Sequence, residues 1–272
     1  MTRNTSDHGT DDPVVGLLRR AGCVFAEEEA AVLREHAAGA AELDELCARR
    51  AAGEPLEHLV GWVRFGDLRL CVGPGVFVPR QRSLLLARIA VAAVRARRSP
   101  LVLEAFCGVA PIAATVAAAG LDARLHVIDI DPTALACARQ NLPRGSGVHL
   151  GDGLSPLPPG LRGHVDVIAA VPPYVPDASV GFLPHEACDH EPRNALVGGP
   201  DGLDHILELI RAARDWLCVG GILLVEMNSE QFEVVTDRVE HIGHDDLDAI
   251  PGADGQTVVA RYRRRPIAST AN

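Results

Sequence analysis

The sequence contains no lysine, so all 26 of its basic side chains are arginine, against 36 aspartate and glutamate residues. Because alanine is abundant, we attribute the missing lysine to genome composition rather than to function. The formal net charge is -10. Proteins that hold nucleic acid on a broad surface need an excess of positive charge. The composition therefore argues against that class and leaves open only a local basic patch.

Cysteine pairs at metal-binding spacing are also missing. Seven cysteines are scattered along the chain, and none is separated from another by two residues. Zinc sites use such close pairs, and disulfide frameworks use even numbers of cysteines. The sequence therefore predicts neither, and reduced thiols are expected, as in the cytoplasm. The cysteines are Cys23, Cys47, Cys71, Cys107, Cys137, Cys188 and Cys218.

Long apolar stretches are lacking as well. Residues 1–12 are polar without an apolar segment, so no signal peptide is expected. The apolar stretch Leu84–Val94 is interrupted by Arg88 and is too short to span a bilayer. We expect a cytoplasmic protein that has no membrane partner, with disordered tails at residues 1–12 and 266–272.

The sequence that is present divides into three parts. Residues 13–60 have a helical pattern of apolar positions and predict a small domain of two or three helices. This domain is either a simple helical cap or a substrate-recognition domain. Residues 61–79 contain two β-like runs around Gly66-Asp67, which predicts a β-hairpin that links the domains.

Residues 80–265 alternate strands and helices, which is typical of a doubly wound, mostly parallel α/β sheet. Gly220-Gly221 is predicted as a turn before the fifth strand. Seven strands are predicted, at 101–105, 124–129, near 150, 165–171, 222–226, 246–250 and 257–262. Helices are predicted at 83–97, 111–119, after Asp131-Pro132, 202–217 and 229–241.

The fourth strand of this pattern leads into the most informative loop. Val165–Val171 is an apolar run without alternation, as expected of a strand covered on both faces. Pro172-Pro173 then ends the strand, because proline cannot donate to a sheet and fixes its backbone angle. Tyr174, one of two tyrosines, follows. Open α/β sheets bind ligands at such strand ends, so we interpret 171–174 as an active-site loop.

Three other strand ends carry candidate residues: Glu104–Ala110, Asp129 and Asp152. In a doubly wound sheet these ends lie side by side and form one crevice. Asp129 alone would be interpreted as a carboxylate at a helix start. Within this series it is better interpreted as an acceptor for the ribose hydroxyls of a nucleoside ligand.

Several short motifs, in this order, resemble one known family. They are Gly53-Glu54-Pro55-Leu56, Pro74-Gly75-Val76-Phe77-Val78-Pro79-Arg80, Pro172-Pro173-Tyr174-Val175-Pro176, Glu191-Pro192-Arg193 with Ala195-Leu196, Gly198-Gly199-Pro200-Asp201-Gly202-Leu203, and Glu226 with Gln231. Their order and spacing resemble the class I S-adenosylmethionine-dependent methyltransferases. More narrowly, they resemble the protein-glutamine N5-methyltransferases that modify peptide-chain release factors.

The resemblance implies a seven-stranded Rossmann-like sheet, S-adenosylmethionine as cofactor and S-adenosylhomocysteine as product. It implies that the loop from Glu104 to Ala110 lies under the methionine part, that Asp129 binds the ribose, and that Asp152-Gly153 flanks the adenine. The helical domain would help dock a protein substrate. The implied cofactor-binding residues are Glu104, Phe106, Cys107, Gly108, Val109, Ala110, Asp129, Ile130, Asp152, Gly153 and Val171. The residues implied to hold the substrate amide are Val171, Pro172, Pro173 and Tyr174, and no metal site is expected.

The first loop departs from the family pattern, in which three glycines are customary and only Gly108 is present here. Phe106 and Ala110 bring side chains where glycine lets the backbone approach a ligand. Phe106 narrows the pocket, stacks on a neighbour, or is a neutral variation; all three interpretations stay open.

Val171 departs further, because the family has asparagine before Pro-Pro-Tyr. In the family, the side-chain oxygen of this asparagine accepts a hydrogen bond from the N–H group of the substrate amide and so aims the amide nitrogen at the methyl group. The side chain of valine has no acceptor. Loss of such a bond at a reacting centre costs on the order of 10² to 10³ in rate. Gln81-Arg82-Ser83, after Arg80, also lacks the acidic residue usual in the family.

The remaining charged residues near this crevice are interpreted as surface groups. Glu186, Asp189 and Glu191 form an acidic stretch, for which solvated charge is preferred over binding of a cationic substrate. The histidines, including His185, His190 and His205, have no metal-like spacing and are expected at the surface.

Three functions fit these observations. The first is a cytoplasmic S-adenosylmethionine-dependent N-methyltransferase acting on a release factor, in which orientation and exclusion of water drive the reaction because the sequence presents no obvious general base. The second keeps the fold and cofactor but changes the acceptor to a small molecule or peptide. The third is a catalytically silent cofactor-binding paralogue. Nucleic-acid adenine methyltransferases share the Pro-Pro-Tyr arrangement, but the acidic charge does not favour them.

Overall fold

The computed structural model describes residues 12–239 and 247–266. The chain divides into two compact units, Met1–Gly61 and Trp62–Asn272. Of the tails predicted at 1–12 and 266–272, residues 1–11 and 267–272 lie outside the described residues, whereas Asp12 caps the first helix. Within the described ranges, each helix is either too short or too polar to cross a membrane.

The smaller unit consists of helices over its described residues. Its four helices are α1 (Pro13–Arg20), α2 (Ala26–His36), α3 (Ala40–Ala51) and α4 (Leu56–Val60). One more helix is present than the two or three expected, because the short α4 forms between Pro55 and the left-handed Gly61. Its charged residues include a buried ion pair, in which Arg50 donates to Glu29 over 2.6 Å.

The larger unit begins with a hairpin of β1 (Trp62–Phe65) and β2 (Leu68–Cys71) around the predicted turn. The hairpin that was predicted to link the domains packs within the larger unit. Phe65 and Leu70 are buried in the same apolar core as the helices that cover the main sheet. The hairpin belongs to the larger unit because its apolar side chains gain more by burial there than by exposure in a linker.

The main sheet has the predicted seven strands and is mostly parallel. The strand order is β5-β4-β3-β6-β7-β9-β8, and among these described strands β9 alone runs in the direction opposite to the other six. The strands are β3 (Leu101–Ala105), β4 (Arg124–Asp129), β5 (Gly147–Leu150), β6 (Val165–Ala170), β7 (Leu217–Asn228), β8 (Leu247–Pro251) and β9 (Thr257–Arg263). The helices are α5 (Leu84–Arg95), α6 (Pro111–Ala118), α7 (Pro132–Asn141), α8 (His185–His190), α9 (Asp204–Trp216) and α10 (Ser229–Val239). The predicted α/β class is confirmed.

Helices cover both faces of this sheet. Val167 on β6 points into a core shared with α5, α6 and α7, and its neighbour Ile168 points into a second core with α9 and α10. Successive side chains of a strand point to opposite faces, so both faces of a central strand are apolar. This explains the unbroken apolar run of the sequence. The strand order reverses between β3 and β6, and the carboxyl ends of these strands meet there at one edge of the sheet.

Some boundaries differ from the predictions. The predicted turn at Gly220-Gly221 is wrong, because both glycines lie inside β7. There the register against β6 shifts, and Gly220 adopts a φ of 80°, so the glycines form a bulge instead of ending the strand. Helix α10 is described to Val239, and residues 240 and 241 of that predicted helix lie outside the described residues.

Candidate active site

A cavity of about 450 Å³ opens at the carboxyl ends of β3, β4 and β6. The structure brings together in its wall all but one of the predicted site residues. These are Glu104, Phe106, Cys107, Gly108, Val109, Asp129, Ile130, Asp152, Gly153, Val171, Pro172, Pro173 and Tyr174. The exception is Ala110, which is fully buried behind the loop at the start of α6. The strand ends therefore form one crevice.

The loop between β3 and α6 keeps a glycine-like backbone path with only one of the three glycines. Phe106, Gly108 and Ala110 have φ values of 52°, 52° and 63°. These are the three positions at which the resembling family has glycine. A residue with a Cβ in this left-handed region costs about 1–2 kcal/mol. Phe106 and Ala110 therefore hold a strained conformation that the surrounding structure imposes.

The ring of Phe106 packs against a histidine. Its centroid lies 5.6 Å from that of His205, with the rings tilted by 56°. Both residues line the cavity. Phe106 therefore packs against a neighbour in a tilted geometry, and His205, which was expected to be an ordinary surface residue, is half-buried in the cavity wall. The chain order could not show this pairing, because the two residues lie 99 positions apart in the sequence.

Glu104 at the end of β3 binds the first turn of α6. Its carboxylate oxygens accept from the backbone N–H groups of Ile112 over 3.2 Å and of Ala113 over 2.7 Å. Burial raises the pKa of Glu104 to about 8, although these two donors act in the opposite direction. Glu104 therefore fixes the helix whose N-terminus faces the cavity.

Asp129 at the end of β4 connects two of the strand ends. It accepts from the backbone N–H groups of Gly108 over 2.7 Å and of Asp131 over 2.9 Å. Burial raises the pKa of Asp129. Asp131, and not Asp129, caps α7 by accepting from the backbone of Thr133. Because each carboxylate oxygen has two lone pairs, Asp129 keeps the capacity to accept ligand hydroxyls.

The loop after β6 is held from behind by the segment 196–202. Strand β6 ends at Ala170, one residue earlier than predicted, so Val171 already belongs to the loop. Val175 donates to the Leu196 carbonyl over 2.9 Å, and Gly198 donates to the Val175 carbonyl over 3.0 Å. This ladder fixes the loop that contains the two prolines.

Close packing behind the loop requires glycine. A Cβ added to Gly198 would overlap the carbonyl oxygen of Pro173, and one added to Gly202 would overlap that of Tyr174. Gln231 also donates to the Tyr174 carbonyl over 2.9 Å. These residues belong to the motifs that carried the resemblance, and the structure shows their physical role.

Glu191 is buried rather than solvated, contrary to the sequence-based expectation. Its carboxylate accepts from Arg80 over 2.6 Å and from the backbone N–H of Val78 over 3.2 Å. Its side chain is 2% exposed. Glu186 lines the cavity and Asp189 is exposed. The ion pair joins two distant motifs, which sequence spacing alone does not reveal.

Glu226 at the end of β7 lies in the same wall, although sequence reasoning used it only as a family marker. It accepts from the Ser83 hydroxyl over 3.0 Å, and the Arg82 Nε lies 3.7 Å from its Oε1. The guanidinium of Arg82 is 6.0 Å from the centre of the Tyr174 ring. Burial raises the pKa of Glu226.

Nowhere among residues 12–239 and 247–266 do three histidine, cysteine, aspartate or glutamate side chains gather in a way that could hold a metal ion.

Comparison with known proteins places the chain in a family. No family model matches it. A release factor glutamine methyltransferase of Streptomyces coelicolor is 40% identical over 186 residues, which cover 67% of this chain and 66% of that protein. Another, of Mycobacterium tuberculosis, is 36% identical over 252 residues, which cover 84% and 81%.

A solved structure supports the fold. A methyltransferase from Pyrococcus furiosus matches with a TM-score of 0.52 and 18% identity, over 80% of this chain and 98% of that one. With the sequence relatives, this leads to one conclusion: the chain belongs to the release factor glutamine methyltransferase family, and it is an S-adenosylmethionine-dependent methyltransferase.

Proposed function

We propose that this chain methylates the side-chain amide nitrogen of a glutamine in a peptide-chain release factor. The observation that carries the proposal is that one cavity contains both the wall formed by the ends of β3 and β4, with Glu104 and Asp129, and the Pro172–Tyr174 loop. The names of its relatives support the choice of a release factor glutamine as acceptor.

The residues at the ends of β3 and β4 suit binding of S-adenosylmethionine. At Gly108 the described part of the chain leaves open space within 4 Å of where a Cβ would stand, so a ligand can approach the backbone closely. We propose that the loop around Gly108 holds the methionine part, that Asp129 binds the ribose, and that Ile130, Asp152 and Gly153 contact the adenine. When bound, S-adenosylmethionine supplies an electrophilic methyl group on a positively charged sulfur.

The Pro172–Tyr174 loop would orient the acceptor. An amide nitrogen is a poor nucleophile, because its lone pair is delocalised into the carbonyl group. Positioning the nitrogen at the correct distance and angle therefore supplies much of the rate. The buried prolines and the bond from Gln231 keep the loop rigid, and Val171 adds an apolar surface that excludes water.

A second candidate acceptor is favoured by the side chains of Val171 and Phe106. Both line the cavity at positions where the resembling family has other residues, and they give its wall a different shape and polarity. A small molecule or a different peptide would then be methylated in place of a release factor glutamine.

We also propose where the protein acts and what the smaller unit does. A release factor is a translation factor, so the reaction would take place in the cytoplasm. The helices of the smaller unit would help to dock this protein substrate. Deleting that unit would then weaken binding of the release factor more than binding of the cofactor.

Two measurements test the proposed function. Titration calorimetry with S-adenosylmethionine measures cofactor binding, and absence of binding would contradict both candidate functions. A methyl-transfer assay compares a bacterial release factor with the same factor in which the modified glutamine is replaced by alanine. Transfer to the first protein only supports the release factor as acceptor. Equal transfer to both, or to neither, would contradict it.

A further inference from the structure

Glu226 has one carboxylate oxygen without a hydrogen-bond partner. Its Oε1 accepts from Ser83, whereas Oε2 finds no partner among the described residues. The side chain is 1% exposed and forms part of the cavity wall. Buried polar atoms in proteins nearly always have partners, so an exception calls for an explanation. A ligand that donates an N–H group would supply one.

Val171 and Glu226 each follow the last residue pair of the β6–β7 register by one position. Ala169 pairs with Leu224 and Ala170 pairs with Val225 along the parallel strands β6 and β7. Continued by one residue, the same register sets Val171 and Glu226 side by side. Since side chains alternate between faces, both are on the face of Ala169 and Leu224, which share one core.

At the entrance of the Pro-Pro-Tyr loop the side chain of Val171 offers no hydrogen-bond acceptor, whereas the side chain of Glu226 on β7 offers one. The terminal torsion of a glutamate side chain is broad, so Oε2 of Glu226 turns toward the cavity by a modest rotation. The adjacent strand thereby supplies the acceptor that position 171 does not.

Arg82 completes a pattern that is complementary to a carboxamide. A carboxamide presents N–H donors next to a carbonyl acceptor. The Arg82 guanidinium carries five N–H donors, and its Nε lies 3.7 Å from Oε1 of Glu226. A carboxylate acceptor and a guanidinium donor therefore stand side by side in the wall.

We propose that the Glu226 carboxylate accepts a hydrogen bond from the N–H group of the amide nitrogen that is methylated. Arg82 would donate a hydrogen bond to the carbonyl oxygen of the same amide. The inference rests on the proposed function, because it takes a side-chain amide as the acceptor. The amide nitrogen forms the new N–C bond, the C–S bond breaks, and the sulfur keeps its electron pair. The N–H proton passes to the Glu226 carboxylate and from there to solvent.

The test compares Glu226→Ala, Glu226→Gln and the double variant Val171→Asn/Glu226→Ala with the unaltered chain. We expect Glu226→Ala to lower kcat by about 10² to 10³. Glu226→Gln retains an acceptor oxygen but not a proton acceptor, so its loss is smaller. Cofactor affinity by calorimetry and Tm stay close to those of the unaltered chain. Glu230→Ala, an exposed glutamate of α10, is the matched control and leaves kcat unchanged.

The double variant separates an acceptor role from a structural one. If Glu226 supplies the missing acceptor, Val171→Asn raises kcat at least about tenfold in the Glu226→Ala background and much less in the unaltered chain. An equal effect of Val171→Asn in both backgrounds, or a Glu226→Ala variant with unchanged kcat, overturns the inference and leaves the proposed function standing. Absence of methyl transfer by the unaltered chain overturns the proposed function and the inference together.

Discussion

The carboxylate of Asp129 accepts a hydrogen bond from the backbone N–H of Gly108 over 2.7 Å, and so joins the end of β4 to the loop after β3. The bond crosses the wall in which we place the cofactor. Asp129 therefore has two tasks in this proposal, which are to hold the loop and to accept from the ribose.

Replacing Asp129 by alanine removes both contacts. We expect the Kd for S-adenosylmethionine to rise about 10- to 100-fold, since hydrogen bonds to a charged group contribute about 1.5–3 kcal/mol. Calorimetry measures this change. Asp131→Asn is the control, because asparagine preserves the cap of α7 and Kd should change less than about twofold. Equal losses in both variants would contradict the role of Asp129.

Two substitutions of Phe106 isolate the backbone strain. Alanine and glycine both remove the ring that contacts His205, but only glycine relieves the left-handed φ of 52°. We expect Phe106→Gly to be more stable than Phe106→Ala by about 1 kcal/mol. In an ordinary backbone conformation glycine is the less stable of the two, by about 0.5–1 kcal/mol. Denaturant unfolding of both variants gives the sign of the difference in their free energies of unfolding. A glycine variant less stable than the alanine variant would show that the backbone at Phe106 is not strained.

The stability of the protein should fall as pH rises toward the pKa of Glu104. Burial raises this pKa from 4.5 to about 8, so between these values the folded state binds a proton that the unfolded state has lost. The contribution of Glu104 is therefore complete below about pH 4.5 and is lost as pH rises through about 8.

Glu104→Gln tests this dependence. The amide cannot ionise, so the variant should gain stability relative to the unaltered chain between pH 6 and pH 9. Urea midpoints at several pH values measure the difference. A difference between the two proteins that does not change with pH would show that Glu104 is already ionised in the folded state.

Gly202→Ala should displace the Pro-Pro-Tyr loop without emptying the cofactor site. A Cβ there overlaps the Tyr174 carbonyl, and the φ of 76° disfavours a side chain. A shift of about 1 Å at a reacting centre costs about 10² in rate. Kinetics should show a kcat loss of that size, and calorimetry an almost unchanged cofactor Kd. Gly181→Ala, with open space within 4 Å among the described residues, should behave like the unaltered chain. If both variants retain full kcat, close packing behind the loop does not position the acceptor.

Local patterns predicted the sheet well because its strands are short apolar runs bounded by turn residues. The predicted bounds 101–105 and 124–129 agree with the structure residue for residue. Gly220-Gly221 was misassigned because a bulge and a turn place the same demand on glycine. The distinction depends on pairing with β6, which the local sequence does not contain.

The sequence predicts the site residues that lie at strand ends. It does not predict those whose place in the site depends on contacts between distant segments. The cavity contains the predicted strand ends, but the roles of Glu191, His205 and Glu226 depend on partners far along the chain. Glu191 binds Arg80 from 111 residues away, and Glu226 binds Ser83 from 143 residues away. Burial of such groups is a property of the assembled core. The sequence therefore shows that these residues exist but not that they are buried or which residues they bind.

The position of the transferred methyl group tests the account most directly. A bacterial release factor is incubated with the protein and S-adenosylmethionine carrying an isotopically labelled methyl group, and its peptides are fragmented by mass spectrometry. The account predicts one labelled methyl group on a glutamine side-chain nitrogen. Label on any other atom of the release factor, or an unlabelled release factor from protein that binds the cofactor, would contradict it.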